Sequence, residues 1–499
     1  MSSPERAAPP AGRRGCGHGA APPRGQAGLT GDGGGRFGRM FPGAARPDPG
    51  IAAVDELVRL IRQRSHRHGP NDTIPAGYTY LGQFVDHDIT FDPTSKLDTD
   101  NDPLALVNFR TPRFDLDSVY GSGPADQPYL YEWTSRADRG VKLLVGGDDA
   151  VEDLPRNAQG LALVGDARND ENLIISQLHL LFIRFHNAVV ERMGTQEGLE
   201  GEELFDRARR IVRWHYQWIV THDFLRRIVG ERQAGEVLRD GTATVPAPAS
   251  VDLRHFTGSE VPYIPVEFSG AAYRFGHSMV RSHYRVRRDR PVASIFPEPG
   301  TAPGDGDLSG FRPLPAALSV EWDLFFWTHR TDLTNSSLRI NNRITEQLFS
   351  VPDRGVLPRL NLRRGRALGL PSGQAVAEAL GARELTATEL QLDANDPAGV
   401  NQTLLHAAPL WYYILCEAGT REFGEGGKHL GPVGGRVVAE VLVGLLQSDP
   451  EAYLAHDASW RPTLPAAAEG DFTMIDLVNF VNPAQPGGAP RAVGGDALA

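Results

Sequence analysis

Residues 165–193 read GDARNDENLIISQLHLLFIRFHNAVVERM, and this stretch carries the clearest fold signal in the chain. Between Asn172 and Met193 the large apolar residues return every three or four positions, which places them on one broad face of an α-helix. They are Leu173, Ile174, Leu178, Leu181, Phe182, Phe185 and Val189. This spacing predicts an amphipathic helix that packs against a core.

The polar residues just before this helix have two interpretations. Asn169 or Asp170 could cap the helix, and Glu171 would suit its positive N-terminal end. Capping explains these residues in part, but it gives no reason for Arg168. We therefore treat Arg168 as a candidate functional residue.

Helical periodicity extends through most of the chain, whereas long alternating strand patterns are absent. The further predicted helices span residues 51–67, 202–228, 404–417 and 435–446. Residues 297–315 are rich in Pro, Gly and Asp and predict a long surface loop. We expect a mainly α protein with long loops and little β, in which one large helical domain spans residues 49–482. The Gly/Pro/Arg-rich residues 1–48 and the C-terminal residues 483–499 have few large apolar side chains, which predicts disordered tails.

The composition excludes several classes of protein. Of the 499 residues, 40% are hydrophobic and 23% are charged, which is typical of a globular chain rather than a disordered one. The net charge of −11 argues against binding to nucleic acid or to an anionic membrane. The two cysteines cannot build a disulfide framework or a cysteine zinc site, so histidines and carboxylates must provide any metal ligands.

Signals for membrane insertion or export are not found in the sequence. It has no run of 18 apolar residues, so we expect no membrane span. No apolar segment follows Arg13-Arg14, as a signal peptide would require. The predicted location stays open between the cytoplasm and export by a leaderless route.

A first candidate site lies in residues 82–88, which read Gly-Gln-Phe-Val-Asp-His-Asp. On a helix, Gln83 and His87 are four residues apart and share a face, while Asp86 and Asp88 flank the histidine. A histidine beside carboxylates suits general base chemistry, because its pKa lies near neutrality. A solvated helix end is the alternative interpretation of the segment alone.

A second candidate site lies in residues 111–122, which read TPRFDLDSVYGS and offer hard oxygen ligands at close spacing. The carboxylates of Asp115 and Asp117 alternate after Thr111, a pattern that suits calcium. The spacing does not fit an EF-hand loop, and an ordinary Asx turn is the alternative.

Two later segments place a histidine and an amide in unusual surroundings. Residues 273–279 read YRFGHSM, in which His277 could be a core histidine or a metal ligand. Residues 360–366 read LNLRRGR, in which Asn361 lies among arginines. Alone, this last segment predicts anion binding or a solvated turn.

Taken together, these segments resemble the animal-type haem peroxidases of the peroxidase–cyclooxygenase superfamily. The five matching segments, in the family's order, are residues 82–88, 111–122, 165–171, 273–277 and 360–366. The similarity runs from about Arg36 to Asn482, and residues 431–446 resemble bacterial members. The resemblance implies a mainly α fold around one buried haem b. It also implies an enzyme that reduces hydrogen peroxide and oxidises a halide, thiocyanate or a small organic donor such as a phenol through an oxyferryl haem.

The resemblance implies roles for residues on the distal side of the haem. His87 would be the catalytic histidine, with Gln83 beside it, and Arg168 would be the distal arginine. Asp86 and Glu171 match the carboxylates that form ester links to the haem methyls in vertebrate members.

Other roles implied by the resemblance concern the iron and calcium. His277 would bind the haem iron, Asn361 would hydrogen-bond its other ring nitrogen, and Arg274 would lie near a haem propionate. The residues that match the calcium-site positions are Asp88, Thr111, Arg113, Asp115 and Asp117.

The sequence departs from the family's pattern at several positions. Asn172 stands where members with a third haem link have Met, so no sulfonium link is expected. Arg113 replaces a usual aromatic residue at a calcium position that binds through its carbonyl. Ala367-Leu368 follows Arg366 where many relatives have Asp-His.

Two other functions stay open. A fatty-acid dioxygenase or cyclooxygenase of the same superfamily needs a tyrosine near the haem. The segment where we would expect it offers Phe325 and Phe326, which have no O–H to lose. A haem- and calcium-binding adhesion protein with little turnover would need neither His87 nor Arg168.

Overall fold

The computed structural model describes residues 35–91, 107–108, 110–135, 139–239, 251–257, 262–326, 334–393 and 400–482. Its α-helices, in chain order, are α1 (Gly50–Arg64), α2 (Gly77–Ile89), α3 (Asp117–Tyr120), α4 (Leu173–Glu197), α5 (Gly201–Trp218), α6 (Leu225–Val229), α7 (Glu231–Leu238), α8 (Val266–Gly270), α9 (Leu357–Ala367), α10 (Gly373–Leu380), α11 (Ala387–Leu390), α12 (Val400–His406), α13 (Leu410–Gly419), α14 (Arg421–Gly424), α15 (Pro432–Ser448), α16 (Tyr453–His456) and α17 (Met474–Val481). The predicted mainly α class is confirmed.

The β-structure is limited to short strands. In the described residues they are β1 (Gly35–Gly38), β2 (Pro70–Pro75), β3 (Val107–Asn108), β4 (Gly146–Gly147), β5 (Glu152–Asp153), β6 (Tyr263–Pro265), β7 (His283–Tyr284), β8 (Ala293–Ser294) and β9 (Ser336–Leu338). β1 pairs with β3 in antiparallel and with β6 in parallel fashion, and the pairs β2–β9, β4–β5 and β7–β8 are antiparallel.

Helix α4 is the long apolar helix predicted from residues 172–193. The Asn172 side chain caps it by accepting hydrogen bonds from the backbone N–H groups of Ile174 and Ile175, and Gly198 ends it at φ +67°. By length and composition alone, α4 could cross a membrane. However, 83% of its most apolar 18-residue window is buried inside the protein, as in a core helix.

Helix α2, which carries residues 82–88, is held by close contacts along its length. A Cβ at Gly77 would lie 2.5 Å from the ring of Phe326, so the start of the helix requires glycine. Farther along, the ring of Phe84 stacks on Phe182 of α4 with centroids 4.7 Å apart. These contacts fix the orientation of α2 and therefore the direction of His87.

The predicted tail boundary at residue 48 is wrong, because residues 35–48 belong to the packed structure. The side chains of Phe37, Met40 and Phe41 are buried. The buried carboxylate of Glu267 accepts hydrogen bonds from the backbone N–H groups of Met40 at 3.0 Å and Phe41 at 3.3 Å. A few large side chains suffice here, since strand pairing and Glu267 satisfy the backbone. The remaining parts of the predicted tails, 1–34 and 483–499, lie outside the described residues.

Two other predictions from local pattern need correction. Residues 404–417 do not form one helix, because α12 ends at His406 and α13 begins at Leu410. Pro409 lacks an N–H group and disfavours helical backbone at the preceding residue, so it separates the two. Residues 297–315 do form a loop, but it is not wholly at the surface, since Leu308 and Leu314 are buried.

The predicted helix over residues 202–228 is continuous in the structure. It starts in α5, passes through a π-helical segment, Ile219–Phe224, and continues into α6. The predicted helices over residues 51–67 and 435–446 correspond to α1 and α15.

Candidate functional site

His87 lies in the last turn of α2 and is 3% exposed. Its Nδ1 lies 2.8 Å from Oδ1 of Asn169, and no described residue hydrogen-bonds its Nε2. Burial, with a smaller contribution from the charge of Arg168, lowers the pKa of His87 to about 3. The imidazole is therefore neutral near pH 7, with Nδ1–H donating to the amide and a lone pair on Nε2.

Arg168 projects from a short 3₁₀ turn, Ala167–Asp170, and braces the end of α2. Its Nη2 donates to the backbone carbonyls of His87 at 3.1 Å and Thr90 at 2.6 Å, and to Asp166 Oδ2 at 2.7 Å. Its Nη1 is buried without a hydrogen-bond partner among the described residues. The structure thus brings His87 and Arg168 together and leaves one guanidinium nitrogen with unused donors.

Asp166 balances the charge of this arginine. Burial alone would raise its pKa, but the charges of Arg168 and Arg110 lower the pKa of Asp166 overall. The ion pair between Arg110 and Asp166 spans 2.8 Å; the Arg110 side chain is 10% exposed and that of Asp166 3%. The guanidinium of Arg168 is therefore held in one place by a carboxylate that stays ionised.

Gln83 and Glu171 meet one turn before His87. The amide nitrogen of Gln83 donates to Glu171 Oε1 in a short hydrogen bond, and Asn172 Nδ2 donates to Gln83 Oε1 at 3.4 Å. Arg354 forms an ion pair with Glu171 at 3.7 Å. Burial raises the pKa of Glu171, although the charge of Arg354 opposes this effect.

Asp86 lies beside His87 on α2 and accepts a hydrogen bond from Thr90 Oγ1 at 2.9 Å. Burial raises the pKa of Asp86, and the charges of Arg168 and Arg274 oppose the increase. The segment that carries Arg274 and His277 packs against α2.

His277 lies in a 3₁₀ segment, Ala272–Met279, that follows α8. Its Nδ1 is 2.8 Å from the side-chain nitrogen Nδ2 of Asn361, a buried residue of α9. An amide can present its oxygen or its nitrogen by a 180° rotation, so it can accept from Nδ1–H and leave the lone pair on Nε2. Arg274, in the same segment, donates from Nε to the Ser269 carbonyl at 2.9 Å.

The charges of two arginines, Arg274 and Arg354, act on residues in both halves of the site. Burial, with smaller contributions from the charges of Arg274 and Arg354, lowers the pKa of His277 to about 3. Arg354 also acts on Glu171, and Arg274 also acts on Asp86. The residues predicted for the two sides of the haem therefore surround one region of the protein.

A group of three carboxylates includes Asp88, the residue that follows His87 in the chain. One oxygen from each of Asp88, Asp115 and Asp117 lies within 4.8 Å of the others. Asp88 is fully buried, and its Oδ1 has no partner among the described residues, while its Oδ2 accepts from the Leu116 N–H at 3.3 Å. Burial and mutual repulsion raise the pKa of Asp88, and burial raises that of Asp117 to about 7.

Thr111 and Arg113 complete the predicted calcium loop in different ways. Thr111 Oγ1 donates to Asp115 Oδ2 at 2.9 Å, so its side chain is next to the carboxylate group. The guanidinium of Arg113 instead points to Asp449, 3.9 Å away. Its backbone carbonyl, rather than its side chain, is the atom that could serve a cation.

A family model for the animal haem peroxidases matches residues 95–404, which is more than half of the chain. The chain belongs to the animal haem peroxidase family. The matched region contains Arg168, His277 and Asn361, whereas residues 82–88 precede it.

Individual members of the haem peroxidase family resemble parts of the chain. It is 27% identical over 304 residues to thyroid peroxidase from Sus scrofa, covering 54% of this chain and 30% of that protein. It is also 27% identical over 295 residues to chorion peroxidase from Drosophila melanogaster, covering 55% and 34%. The chain spans about a third of the length of these curated relatives.

Solved structures share the fold. Peroxidase A from Dictyostelium discoideum superposes with a TM-score of 0.57 at 16% identity, covering 84% of this chain and 87% of that one. A fatty acid alpha-dioxygenase from Arabidopsis thaliana superposes with a TM-score of 0.54 at 16% identity, covering 88% and 75%. Because both identities are low, these similarities concern the fold alone.

The residues present fit the haem that gives the peroxidase family its name. Arg168 Nη1 and the hydroxyl of Tyr273 are buried polar atoms without a protein partner among the described residues, which a bound group would satisfy. A neutral imidazole oriented by an amide is a suitable ligand for haem iron. Likewise, the orphaned Asp88 Oδ1 among hard oxygen donors fits calcium.

Reasoning from sequence missed several members of the site. Asn169 was interpreted only as a possible helix cap, but Asn172 caps α4 and the Asn169 side chain bonds His87 instead. Asp166 and His179 were not singled out, although Asp166 lies two residues from Arg168 as an obvious counter-charge. Arg354 has no local signal, because only the fold brings it to Glu171.

Proposed function

We propose that the protein is a haem-dependent peroxidase that reduces hydrogen peroxide and oxidises a small donor, such as a halide, thiocyanate or a phenol. The observations that support the proposal are the neutral, buried imidazole of His87, the Nη1 of Arg168 that no described residue uses, and the hydrogen bond between His277 and the amide of Asn361. Haem b, when bound, supplies the redox chemistry that peroxide reduction requires.

His277 would bind the iron through Nε2, the nitrogen that is not engaged by Asn361. The amide fixes the rotation of the imidazole ring and increases its basicity as a ligand. Arg274, on the same 3₁₀ segment, has the charge to pair with a propionate. Its Nε already donates to the Ser269 carbonyl, so its orientation is set before any cofactor binds.

His87 would act as a general base and then a general acid. Its Nε2 accepts a proton from hydrogen peroxide, and the same proton is returned to the leaving oxygen as water forms. Arg168 would stabilise the negative charge that develops on that oxygen, an effect that can be worth about 3 kcal/mol. Gln83, bonded to Glu171 and Asn172, would shape the pocket beside them.

Asp86 and Glu171 are proposed to form ester links to haem methyl groups. Each link would convert a carboxyl group, a methyl C–H bond and one hydrogen peroxide into an ester and two waters, so the oxidant is the enzyme's own substrate. Burial raises the pKa of both carboxyl groups, which lowers the cost of holding them in a buried site.

Calcium is proposed to bind Asp88, Asp115, Asp117, Thr111 and the carbonyl of Arg113. Because Asp88 follows His87 directly, the ion would hold the backbone of the catalytic histidine. It would also balance the charges of the carboxylates, which repel one another when no cation is bound.

The test is haem reconstitution followed by a donor screen. We expect a Soret band and peroxide-dependent oxidation of bromide, iodide or a phenol by the wild-type protein, and neither bromide nor phenol oxidation by His87→Ala. A protein that binds no haem would refute the proposal. Haem binding without turnover would favour an adhesion protein, and oxygen uptake with linoleate in the absence of peroxide would favour a dioxygenase.

A further inference from the structure

Three buried side chains form a hydrogen-bonded row that leads away from the candidate site. His87 Nδ1 lies 2.8 Å from Asn169 Oδ1, and Asn169 Nδ2 lies 2.9 Å from Nδ1 of His179. Asn169 is fully buried and His179 is 1% exposed, so neither can exchange its partner for bulk water. The edge of the His179 ring also meets Phe84 with centroids 6.2 Å apart, which restricts its rotation.

The row has only two orientations, and they have opposite consequences for His87. When the amide oxygen of Asn169 faces His87, Nδ1 of His87 must carry the hydrogen and Nε2 carries the lone pair. When the amide is turned by 180°, its NH₂ group faces His87 and the hydrogen must move to Nε2. Only the first orientation leaves a basic nitrogen, Nε2, on the side of the His87 ring that faces away from the amide.

The position of the hydrogen on His179 and the orientation of the Asn169 amide depend on one another. A neutral His179 with a lone pair on Nδ1 accepts from the Asn169 NH₂ group, which turns the amide oxygen to His87. A His179 with hydrogen on Nδ1, whether protonated or in its other neutral tautomer, would turn the amide the other way. The Asn169 Nδ2 group faces His179 Nδ1 at 2.9 Å, which corresponds to the neutral tautomer of His179 with its hydrogen on Nε2. Burial lowers the pKa of His179 to about 3, so the protonated form does not compete at physiological pH.

We infer that His179 acts through Asn169 as a tautomer lock, which holds His87 with its lone pair on Nε2. His179 and Asn169 are positioning residues, since neither would touch peroxide or cofactor. The inference rests on the proposed peroxidase function, in which Nε2 must accept a proton. Helix capping does not account for Asn169, because Asn172 makes the capping bonds of α4.

Four variants separate the lock from a merely structural role. Asn169→Ala removes the acceptor for Nδ1–H, whereas Asn169→Asp keeps it. His179→Phe keeps the ring but removes the group that orients the amide. Asn187→Ala is the matched control, since Asn187 lies on α4 with His179 and, among the described residues, bonds the backbone of Leu143 alone, at 2.8 and 2.9 Å.

The first readout is the tautomer itself. Long-range proton–nitrogen NMR spectra of the reconstituted protein, labelled with ¹⁵N-histidine and held in its diamagnetic ferrous–carbon monoxide form, report which ring nitrogen carries hydrogen. His87→Gln and His179→Phe assign the two signals. We expect the Nδ1–H form for His87 and the Nε2–H form for His179 in the wild type, and a mixture for His87 in Asn169→Ala.

The second readout is the stopped-flow rate of the reaction with hydrogen peroxide. We expect a loss of roughly 10- to 100-fold in Asn169→Ala, because general base catalysis contributes about 10²- to 10⁴-fold and only part of it is lost when tautomers mix. Asn169→Asp should recover most of the rate, His179→Phe should lose less than Asn169→Ala, and Asn187→Ala should match the wild type. The double variant Asn169→Ala/His179→Phe should be no slower than Asn169→Ala.

Two results would overturn the inference: an Nε2–H form of His87 in the wild type, or a wild-type peroxide rate in Asn169→Ala. If Asn169→Ala does not fold, Asn169→Asp and His179→Phe still decide the question, since equal losses in both would contradict the lock. A wild-type protein with the expected tautomers but no reaction with peroxide would support the hydrogen-bonded row and refute the proposed function.

Discussion

Removal of calcium should destabilise the protein in a way that depends on pH. The three carboxylates of Asp88, Asp115 and Asp117 lie within 4.8 Å of one another, and without a cation their charges repel. Burial raises the pKa of Asp117 from 3.8 to about 7 in the folded protein. Because a carboxyl group with a raised pKa favours folding only while it is protonated, the metal-free protein should lose stability as pH rises from about 4 to about 7.

The magnitude follows from the pKa difference. At about 1.4 kcal/mol per pKa unit, the change at Asp117 alone corresponds to a loss on the order of 4 kcal/mol in the free energy of unfolding above pH 7. Calcium would balance these charges and remove the penalty, so its stabilising effect should be small near pH 5 and large near pH 8. The free energy lost is a sizeable part of the roughly 5–15 kcal/mol that holds an ordinary domain folded.

Thermal unfolding, followed by circular dichroism with excess calcium and after chelation, measures this effect at both pH values. Asp117→Asn should flatten the pH dependence of the metal-free protein and reduce the gain from calcium. Asp206→Asn, at an exposed carboxylate, is the control and should change neither. Equal stability of the metal-free protein at pH 5 and pH 8, or no effect of calcium at pH 8, would refute the reasoning.

The other predictions concern the haem. Arg168→Ala should retain the Soret band but react with peroxide about 10²-fold more slowly, as measured by stopped flow, and an unchanged rate would remove its assigned role. His277→Ala should lose stable haem on gel filtration, whereas the exposed His283→Ala should retain it. Acidified butanone should leave haem attached to the wild-type protein after peroxide turnover. It should extract haem fully from the double variant Asp86→Asn/Glu171→Gln. Complete extraction from the wild type would contradict the ester links.

Helices were largely predictable from the sequence because their signal is local. The apolar spacing in residues 172–193 predicted α4, and the four-residue separation of Gln83 and His87 placed them correctly on one helix, α2. The same local reasoning joined α12 to α13, since the apolar spacing continues across Pro409 while the backbone cannot. Apolar spacing alone therefore does not show where a proline ends a helix.

The site was predicted only where its chemistry lies within short segments. The pairing of His87 with Asn169 joins residues 82 positions apart, and neither periodicity nor composition encodes it. Arg354 meets Glu171 across a still longer separation. The roles of His87, Arg168 and His277 came from a resemblance, whereas the hydrogen bonds of the His87 and His277 rings to Asn169 and Asn361 came from the fold.

The contact between Glu267 and the residues after β1 has a practical consequence for recombinant work. A protein truncated at residue 49 would lose the partners of a fully buried carboxylate and leave the edge of β6 uncovered. That strand leads through α8 into the segment of His277, so the damage would begin only ten residues from the proposed iron ligand. Poor haem loading by such a fragment would reflect where the chain was cut, and expression should start upstream of Gly35.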